Sequence, residues 1–429
     1  MFPGLYATPL RGETGSWADR FIGSRSPSPQ VEPRPKTDLP GEGHKTINCP
    51  SNRPRFFGYS AVMAAVDTPR RILIIRPSAL GDVVRTVPAL VSLRAQWPQA
   101  RIDWLVQDTY AEVVRHHPAL SGVVPFPRQA LARWFINPAG AVQFAGLCAR
   151  LNSSRYDLVI DLQGLLRSGF FTLVTGAHRR VGFANARELG WLGYNRRHRI
   201  SRGVHTVDRM LGLLAAEGIP LAPDLQLYPG PQDAQWAQTF LAGHALADQP
   251  FAIVAPTAQW LCKCWPLDRF AAIIDRLLRT GLAGGRVIVL AAPHEQEYVR
   301  LLRTLLPGAA AAGREGPKAG SLLFPSTTPG QMLALIARCA LLVCNDSAAL
   351  HMAVGFDKPI AAVFGPTDPA LVGPYHRPDA VIQPPDIRPA DILNYRHREK
   401  DQTLISRIPV EAVWQRIEAL MSARGGMPA

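Results

Sequence analysis

Arg71-Ile-Leu-Ile-Ile-Arg-Pro-Ser-Ala-Leu-Gly-Asp82 opens the first sustained periodic stretch of this chain, and Phe251-Ala-Ile-Val-Ala-Pro256 opens a second of the same kind. Each is a short, β-branched apolar run that stops at a proline and gives way to a polar turn. Continuous apolar character over four or five residues is what a strand buried on both faces requires. Downstream of the first run, a helical pattern reaches about Trp97. The spacing then predicts a strand over Ile102 to Val106, a helix around Tyr110 to His116 and a strand near Val123 to Pro125. A helix from Gly140 to Leu151 and a strand from Leu158 to Leu162 follow. Strands alternating with helices imply parallel βαβ units and a doubly wound sheet.

The alternation stops between 178 and 209, which is rich in Arg, His and Gly. A helix near Val207 to Glu217 and a Pro-rich connection at Tyr228-Pro-Gly-Pro carry the chain to the second run. From there the pattern predicts helices at Leu267 to Arg279, Glu295 to Leu305 and after Pro329. Strands are predicted at Arg286 to Ala291, Leu341 to Cys344 and Ile360 to Phe364. Pro409 leads a closing helix with Val413, Ile417, Leu420 and Met421 on one face. The fold class is therefore α/β, with two doubly wound, Rossmann-like domains at 69–249 and 250–429. Residues 1–68 mix Pro, Gly, Ser and Arg without apolar periodicity, and the composition predicts a disordered extension. Met63 is a second candidate start of translation.

At 429 residues, with 47% hydrophobic and 19% charged positions, the chain can bury two cores. No run approaches the roughly 20 apolar residues of a membrane span, and the N-terminus lacks the pattern of a secretory signal. The six cysteines are scattered without a CxxC pair, which suits free thiols in a reducing cytoplasm. Cys262 and Cys264 have no ligand cluster nearby, so no metal is expected there. A net charge of +14 calls for anionic partners. The basic residues form no known nucleic-acid reader motif. The turn after the first strand also lacks the G-x-G-x-x-G of a nicotinamide dehydrogenase.

In doubly wound sheets, ligands bind beyond the carboxyl ends of the strands. Three such turns carry unusual residues. Asp82 falls at a helix start after Gly81, where a carboxylate either caps the helix or faces the cleft as a proton acceptor. Lys263 sits between Trp260 and Trp265, either holding a phosphate with the rings excluding water, or solvated above packed tryptophans. Asn345, Asp346 and Ser347 can each cap the helix that follows. Small Ala348 and Ala349 would let a diphosphate approach its free N–H groups. His351 is either a hydrogen-bond donor to that anion or a packed core histidine. Thr367 and Asp368 end the next strand.

Taken together, these segments resemble glycosyltransferase family 9, the ADP-heptose:lipopolysaccharide heptosyltransferases. The residues that carry the resemblance are Ser78-Ala-Leu-Gly-Asp82 with Thr86-Val-Pro-Ala-Leu90, Asp161-Leu-Gln-Gly164, and Lys263 before Trp265-Pro266. Asp346-Ser-Ala-Ala-Leu-His-Met-Ala353 with Phe364-Gly-Pro-Thr-Asp-Pro369 completes it, over about residues 70 to 425. Ala186-Arg-Glu-Leu189, Tyr194-Asn-Arg-Arg-His198 and Ala292-Pro-His-Glu295 are most similar to the heptosyltransferase I subgroup.

The resemblance implies a GT-B-type fold, with two domains facing a central cleft, and an inverting, metal-independent transfer of heptose from ADP-heptose to a Kdo-lipid A type acceptor. Asp82 would be the catalytic base. Lys263, Asp346, Ser347, Ala348, His351, Thr367 and Asp368 would bind the donor. Ser78, Arg128 and Arg187 would meet the acceptor, with Arg133 and the basic stretch 179–202 nearby. It further implies no cofactor beyond the donor substrate, an anionic glycolipid acceptor at the inner membrane surface, no nucleic acid, and a cytoplasmic, membrane-peripheral monomer. The family usually places Gly where Ala348 stands. That keeps two alternatives open, another nucleotide sugar as donor or a non-catalytic relative that only binds one.

Overall fold

The computed structural model describes residues 68–131, 137–306, 322–392 and 401–423. The expectations for residues 1–67, including Met63 and Cys49, and for Arg133 fall outside the described residues. The strands are β1 (Arg71–Ile75), β2 (Arg101–Gln107), β3 (Gly122–Phe126), β4 (Leu158–Asp161), β5 (Arg179–Phe183), β6 (Arg196–His198), β7 (Ala252–Ala255), β8 (Val287–Val289), β9 (Leu322–Leu323), β10 (Leu341–Asn345), β11 (Ile360–Val363) and β12 (Val381–Ile382). They form two six-stranded sheets, ordered β3-β2-β1-β4-β5-β6 and β12-β11-β10-β7-β8-β9, and the pairings are parallel throughout. Numbered from its own first strand, each sheet reads 3-2-1-4-5-6. Each therefore has one switch point, between β1 and β4 in the first sheet and between β7 and β10 in the second. That is where this architecture leaves a crevice for ligands.

Helices α1 (Leu80–Arg85), α2 (Val87–Gln96), α3 (Glu112–Arg115), α4 (Arg128–Leu131), α5 (Pro138–Ser153), α6 (Leu166–Val174) and α7 (Thr206–Ala216) accompany the first sheet. Then come α8 (Pro231–Gly243), α9 (Leu267–Thr280), α10 (Gln296–Thr304), α11 (Pro329–Ile336), α12 (Ala348–Gly355), α13 (Pro369–Val372), α14 (Pro389–Ile392) and α15 (Val410–Ser422). The closing helix buries Val413, Ile417 and Met421 as its pattern predicted, with Leu420 half-buried and Trp414 also inside. The helical pattern after β1 is two helices rather than one. Thr86 breaks it, its hydroxyl donating to the Asp82 carbonyl at 2.8 Å, and Pro88 starts the next helix.

The largest correction concerns residues 178–209, where the alternation continues instead of stopping. β5 and β6 extend the first sheet in parallel. Their sequences, Arg-Arg-Val-Gly-Phe and Arg-Arg-His, offer little apolar signal because charge pairing does part of the holding. Buried Glu217 at the end of α7 pairs with Arg179 at 3.1 Å, Arg196 at 3.5 Å and His198 at 2.5 Å. Helices α6 and α8 also carry no signal that the pattern reading caught.

The central strands are sealed on both faces, with Ile72 to Ile75 and Leu341 to Cys344 fully buried. One apolar cluster runs through both domains, joining Ile72, Val83 and Leu90 to Leu333, Leu350 and Ile360. Among the described residues, no helix is long and apolar enough to cross a membrane.

Candidate active site

The turn leaving β1 places Asp82 in the first turn of α1. Its carboxylate accepts a long bond from the Ala79 N–H at 3.4 Å, so the helix-start role is real though weak. Its main partners are guanidinium groups. Arg76 Nη2 lies 3.0 Å away, and Arg85, one turn further along α1, pairs more closely still. Burial works to raise the Asp82 pKa, yet the two arginines outweigh it and hold the carboxyl well below the usual range. Arg76 also donates to the Leu162 carbonyl beyond β4, tying together the two turns that flank the first switch point. Ser78 stands half-buried in the first of these turns.

Across the junction, Lys263 Nζ meets Asp346 Oδ2 at 2.7 Å, and the Thr367 hydroxyl donates to the same oxygen at 2.8 Å. The turns after β7, β10 and β11 therefore converge on one carboxylate. Asn345 supports the arrangement from below. Its Oδ1 accepts from the Trp265 N–H at 3.0 Å, and its Nδ2 donates to the Pro256 carbonyl at 2.7 Å. Of the three candidate caps, Ser347 occupies the N-cap position of α12 but makes no side-chain cap bond, while Asn345 and Asp346 are engaged with the Lys263 loop. Ser347 and Ala348 are half-buried at the helix start. Asp368 caps α13, accepting from the Ala370 N–H at 2.9 Å. Trp265 does not wall a phosphate pocket. It is fully buried, its indole N–H donating to the Ile408 carbonyl at 3.1 Å, so its role is to pack beneath the loop.

The two sets of turns touch. A Cβ placed on Gly81 would stand 2.9 Å from His351 Cδ2 and 3.6 Å from Ala348 Cα. His351 is buried beneath Gly81. Burial first, then the positive charge of Arg85, holds its pKa well below 6.5, with Asp82 acting in the opposite direction and His205 and Lys263 adding to the depression. Other contacts join the first domain to the segment after β11. Arg85 donates to the Val372 carbonyl at 3.0 Å, Thr206 to the Leu371 carbonyl at 3.1 Å, and Tyr375 to Asp208 at 2.6 Å. His205 Nδ1 accepts from the Val207 N–H, which leaves Nε2–H to donate to the Gly373 carbonyl at 3.1 Å.

On the first domain's side of the junction, arginines gather. Arg209 of α7 lies over the Phe183 ring at 3.9 Å, and burial, then Arg202, Arg76 and Arg187, lower its pKa to about 10. Arg187 is exposed, its N–H donating to the Gly164 carbonyl at 2.9 Å. Arg128 is exposed too and neighbours Arg167. Sequence reasoning missed Arg76, Arg85, Arg209, His205, Asp208 and Tyr375. Arg76 and Arg85 had a signal, since they bracket the quoted turn and Arg85 is three residues from Asp82 on a helix. The others carry no motif. Among the described residues, no group of three or more His, Cys, Asp or Glu side chains could hold a metal ion.

The profile of glycosyltransferase family 9 (heptosyltransferase) matches residues 145–400. Lipopolysaccharide heptosyltransferase 1 of Escherichia coli K12 is 30% identical over 324 residues, covering 73% of this chain and 94% of that protein. The E. coli heptosyltransferase WaaC solved with ADP-2-deoxy-2-fluoro heptose is similar at a TM-score of 0.61 and 26% identity, over 81% of this chain and 99% of that one. A family 9 glycosyltransferase from Veillonella parvula superposes at a TM-score of 0.68 over 82% of this chain and 98% of that one, at 22% identity, a likeness of fold.

Proposed function

The chain belongs to glycosyltransferase family 9, the heptosyltransferases of the lipopolysaccharide core, and from that premise we propose an inverting, metal-independent transfer of heptose from ADP-heptose to an inner-core acceptor of the Kdo-lipid A type. The observation that carries the reading is the apposition of the Asp82 turn to the Lys263–Asp346 cluster at two facing switch points. In the proposed step, the acceptor oxygen bonds to the anomeric carbon from the face opposite the diphosphate. The bond from that carbon to the diphosphate oxygen breaks, and its electron pair leaves with ADP. The acceptor proton passes to Asp82. Lys263 and the free N–H groups at the start of α12 stabilise the departing charge, Asp346 and Thr367 orient the lysine, and Ser347, His351 and Asp368 line the same side. The paired arginines keep Asp82 ionised and weaken it as a base, so proton transfer completes late, once the hydroxyl oxygen has begun to bond. Ser78, Arg128 and Arg187 are assigned to the acceptor, whose phosphates and carboxylates suit guanidinium groups. On this reading the enzyme works as a monomer at the cytoplasmic face of the inner membrane.

The test is turnover of ADP-heptose against other nucleotide sugars, with and without a chelator. We expect ADP-heptose to be preferred, the chelator to have no effect, and Asp82→Asn to lose at least about a hundredfold in kcat while remaining folded. Wild-type turnover by Asp82→Asn would refute the base assignment. ADP-heptose binding without turnover in the unaltered protein would mark a non-catalytic relative.

A further inference from the structure

Helix α6 is built the wrong way round for a surface helix in water. The residues it turns inward are Ser168, Gly169, Phe171 and Thr172, while Leu166, Phe170 and Leu173 point out at 51%, 41% and 51% exposure. Their spacing of four and then three residues places them in one stripe. The neighbouring 3-10 turn Gly190–Gly193 adds Leu189 and Leu192 at 57% and 53% exposure. Both elements form one plate, because Gly169 meets Gly190 and Gly193 backbone to backbone. A Cβ on Gly169 would fall 2.2 Å from the Gly190 carbonyl oxygen.

Cations border the plate. Arg167 flanks the stripe of α6 on one side, with its guanidinium 5.3 Å from the Phe126 ring centroid. Burial and nearby Arg128 depress its pKa, while Glu188 opposes them. Exposed Arg197 lies over Trp191 at 4.8 Å, next to exposed Arg196. The plate is also continuous with the candidate acceptor side. Leu166 starts the helix that leaves the Asp161–Gly164 turn, to which Arg76 of the Asp82 cluster is bonded, and Leu189 follows Arg187 by two residues.

We propose that the face formed by Leu166, Phe170, Leu173, Leu189 and Leu192 docks on an anionic lipid bilayer, the leucines entering the interface and the bordering arginines meeting lipid phosphates. Exposed apolar side chains rimmed by guanidinium groups suit the boundary between headgroups and acyl chains, where both kinds of group find partners. The purpose of docking rests on the proposed function, in which a lipid-anchored acceptor is presented from the bilayer to the cleft. The surface itself does not depend on which sugar is transferred.

The test is co-sedimentation of the full chain with vesicles of phosphatidylethanolamine and phosphatidylglycerol, with phosphatidylcholine vesicles as the neutral comparison. The wild type should sediment with the anionic vesicles and only weakly with the neutral ones. Leu166→Ser with Leu173→Ser should weaken that binding at least about tenfold. Leu189→Ser with Leu192→Ser, on the separate turn, should do the same. Circular dichroism of each variant should match the wild type, and transfer to a delipidated acceptor in solution should be unchanged. Binding to anionic vesicles that both variants retain, or wild-type protein that stays in the supernatant, would overturn the proposal. It would equally fall if sedimentation velocity showed a wild-type dimer that the serine variants dissociate without any vesicle binding, since the face would then belong to a second copy. Loss of sugar transfer with vesicle binding intact would count against the proposed function alone.

Discussion

Gly81 lies at a close contact between the two domains. Its hydrogen faces the His351 ring, and a methyl group there would come within 2.9 Å of His351 Cδ2. Because the histidine is buried, the ring cannot swing away into water. Gly81→Ala should therefore wedge the turns apart and lower kcat/KM at least about tenfold, with a stability loss in the range of about 1–3 kcal/mol expected for overpacking, read by steady-state kinetics and denaturant unfolding. His351 also gives the protein an acid sensitivity. Its folded pKa is depressed by burial and by Arg85, so below pH 6.5 the unfolded chain takes up a proton that the folded chain refuses. The stability is complete above that value and falls as pH drops, by up to about 1.4 kcal/mol per pH unit for each such histidine. Burial depresses His117 and His205 likewise, adding to the slope with the same sign. Urea unfolding between about pH 7.5 and 5.5 should show a shallower loss for His351→Gln than for the wild type. Asp82 acts with the same sign but in a lower window, its depressed carboxyl contributing stability that fades only as pH falls below the usual 3.8.

At the level of elements, the Lys263 loop is held by what lies under it. Asn345 bridges Trp265 and Pro256 with two buried hydrogen bonds. Asn345→Ala leaves a buried N–H and a buried carbonyl without those partners, a cost of about 1–3 kcal/mol for each group. The loop should loosen, and the donor KM should rise more than kcat falls. The same loop shows what a sequence can and cannot tell. Asp82, Lys263 and Asp346 were legible because turns at the ends of apolar strands are where doubly wound sheets place ligands, and small or charged residues stand out there. Trp265 stayed undecided between two readings because a tryptophan beside a lysine looks the same whether it faces a ligand or the core. β5 and β6 escaped notice because their registry rests partly on Glu217, and a buried ion-pair cluster has no period. Helix α6 escaped for the reverse reason, since its apolar stripe points away from the core.

For the molecule as a whole, the relevant contacts are those between domains. Arg85, Thr206 and His205 reach carbonyls of residues 371–373, while Tyr375 returns a bond to Asp208. These carbonyls close α13, the helix that Asp368 caps, so the segment proposed to face the donor is held from across the junction. Tyr375→Phe removes one of these bonds. Because a single hydrogen bond is worth about 0.5–1.5 kcal/mol, donor affinity should weaken about two- to tenfold, measurable by titration calorimetry with ADP. None of this was legible, because no motif marks residues that meet only after both sheets have formed.

The cluster that joins Val83 and Leu90 of one domain to Leu333 and Leu350 of the other limits how this enzyme can breathe. Swinging the lobes wide would wet that seam, at about 2.5 kcal/mol for each 100 Å² uncovered. Each 100 Å² uncovered thus makes an opened state about seventyfold rarer. Motions that leave this hydrophobic spine dry are therefore the cheap ones.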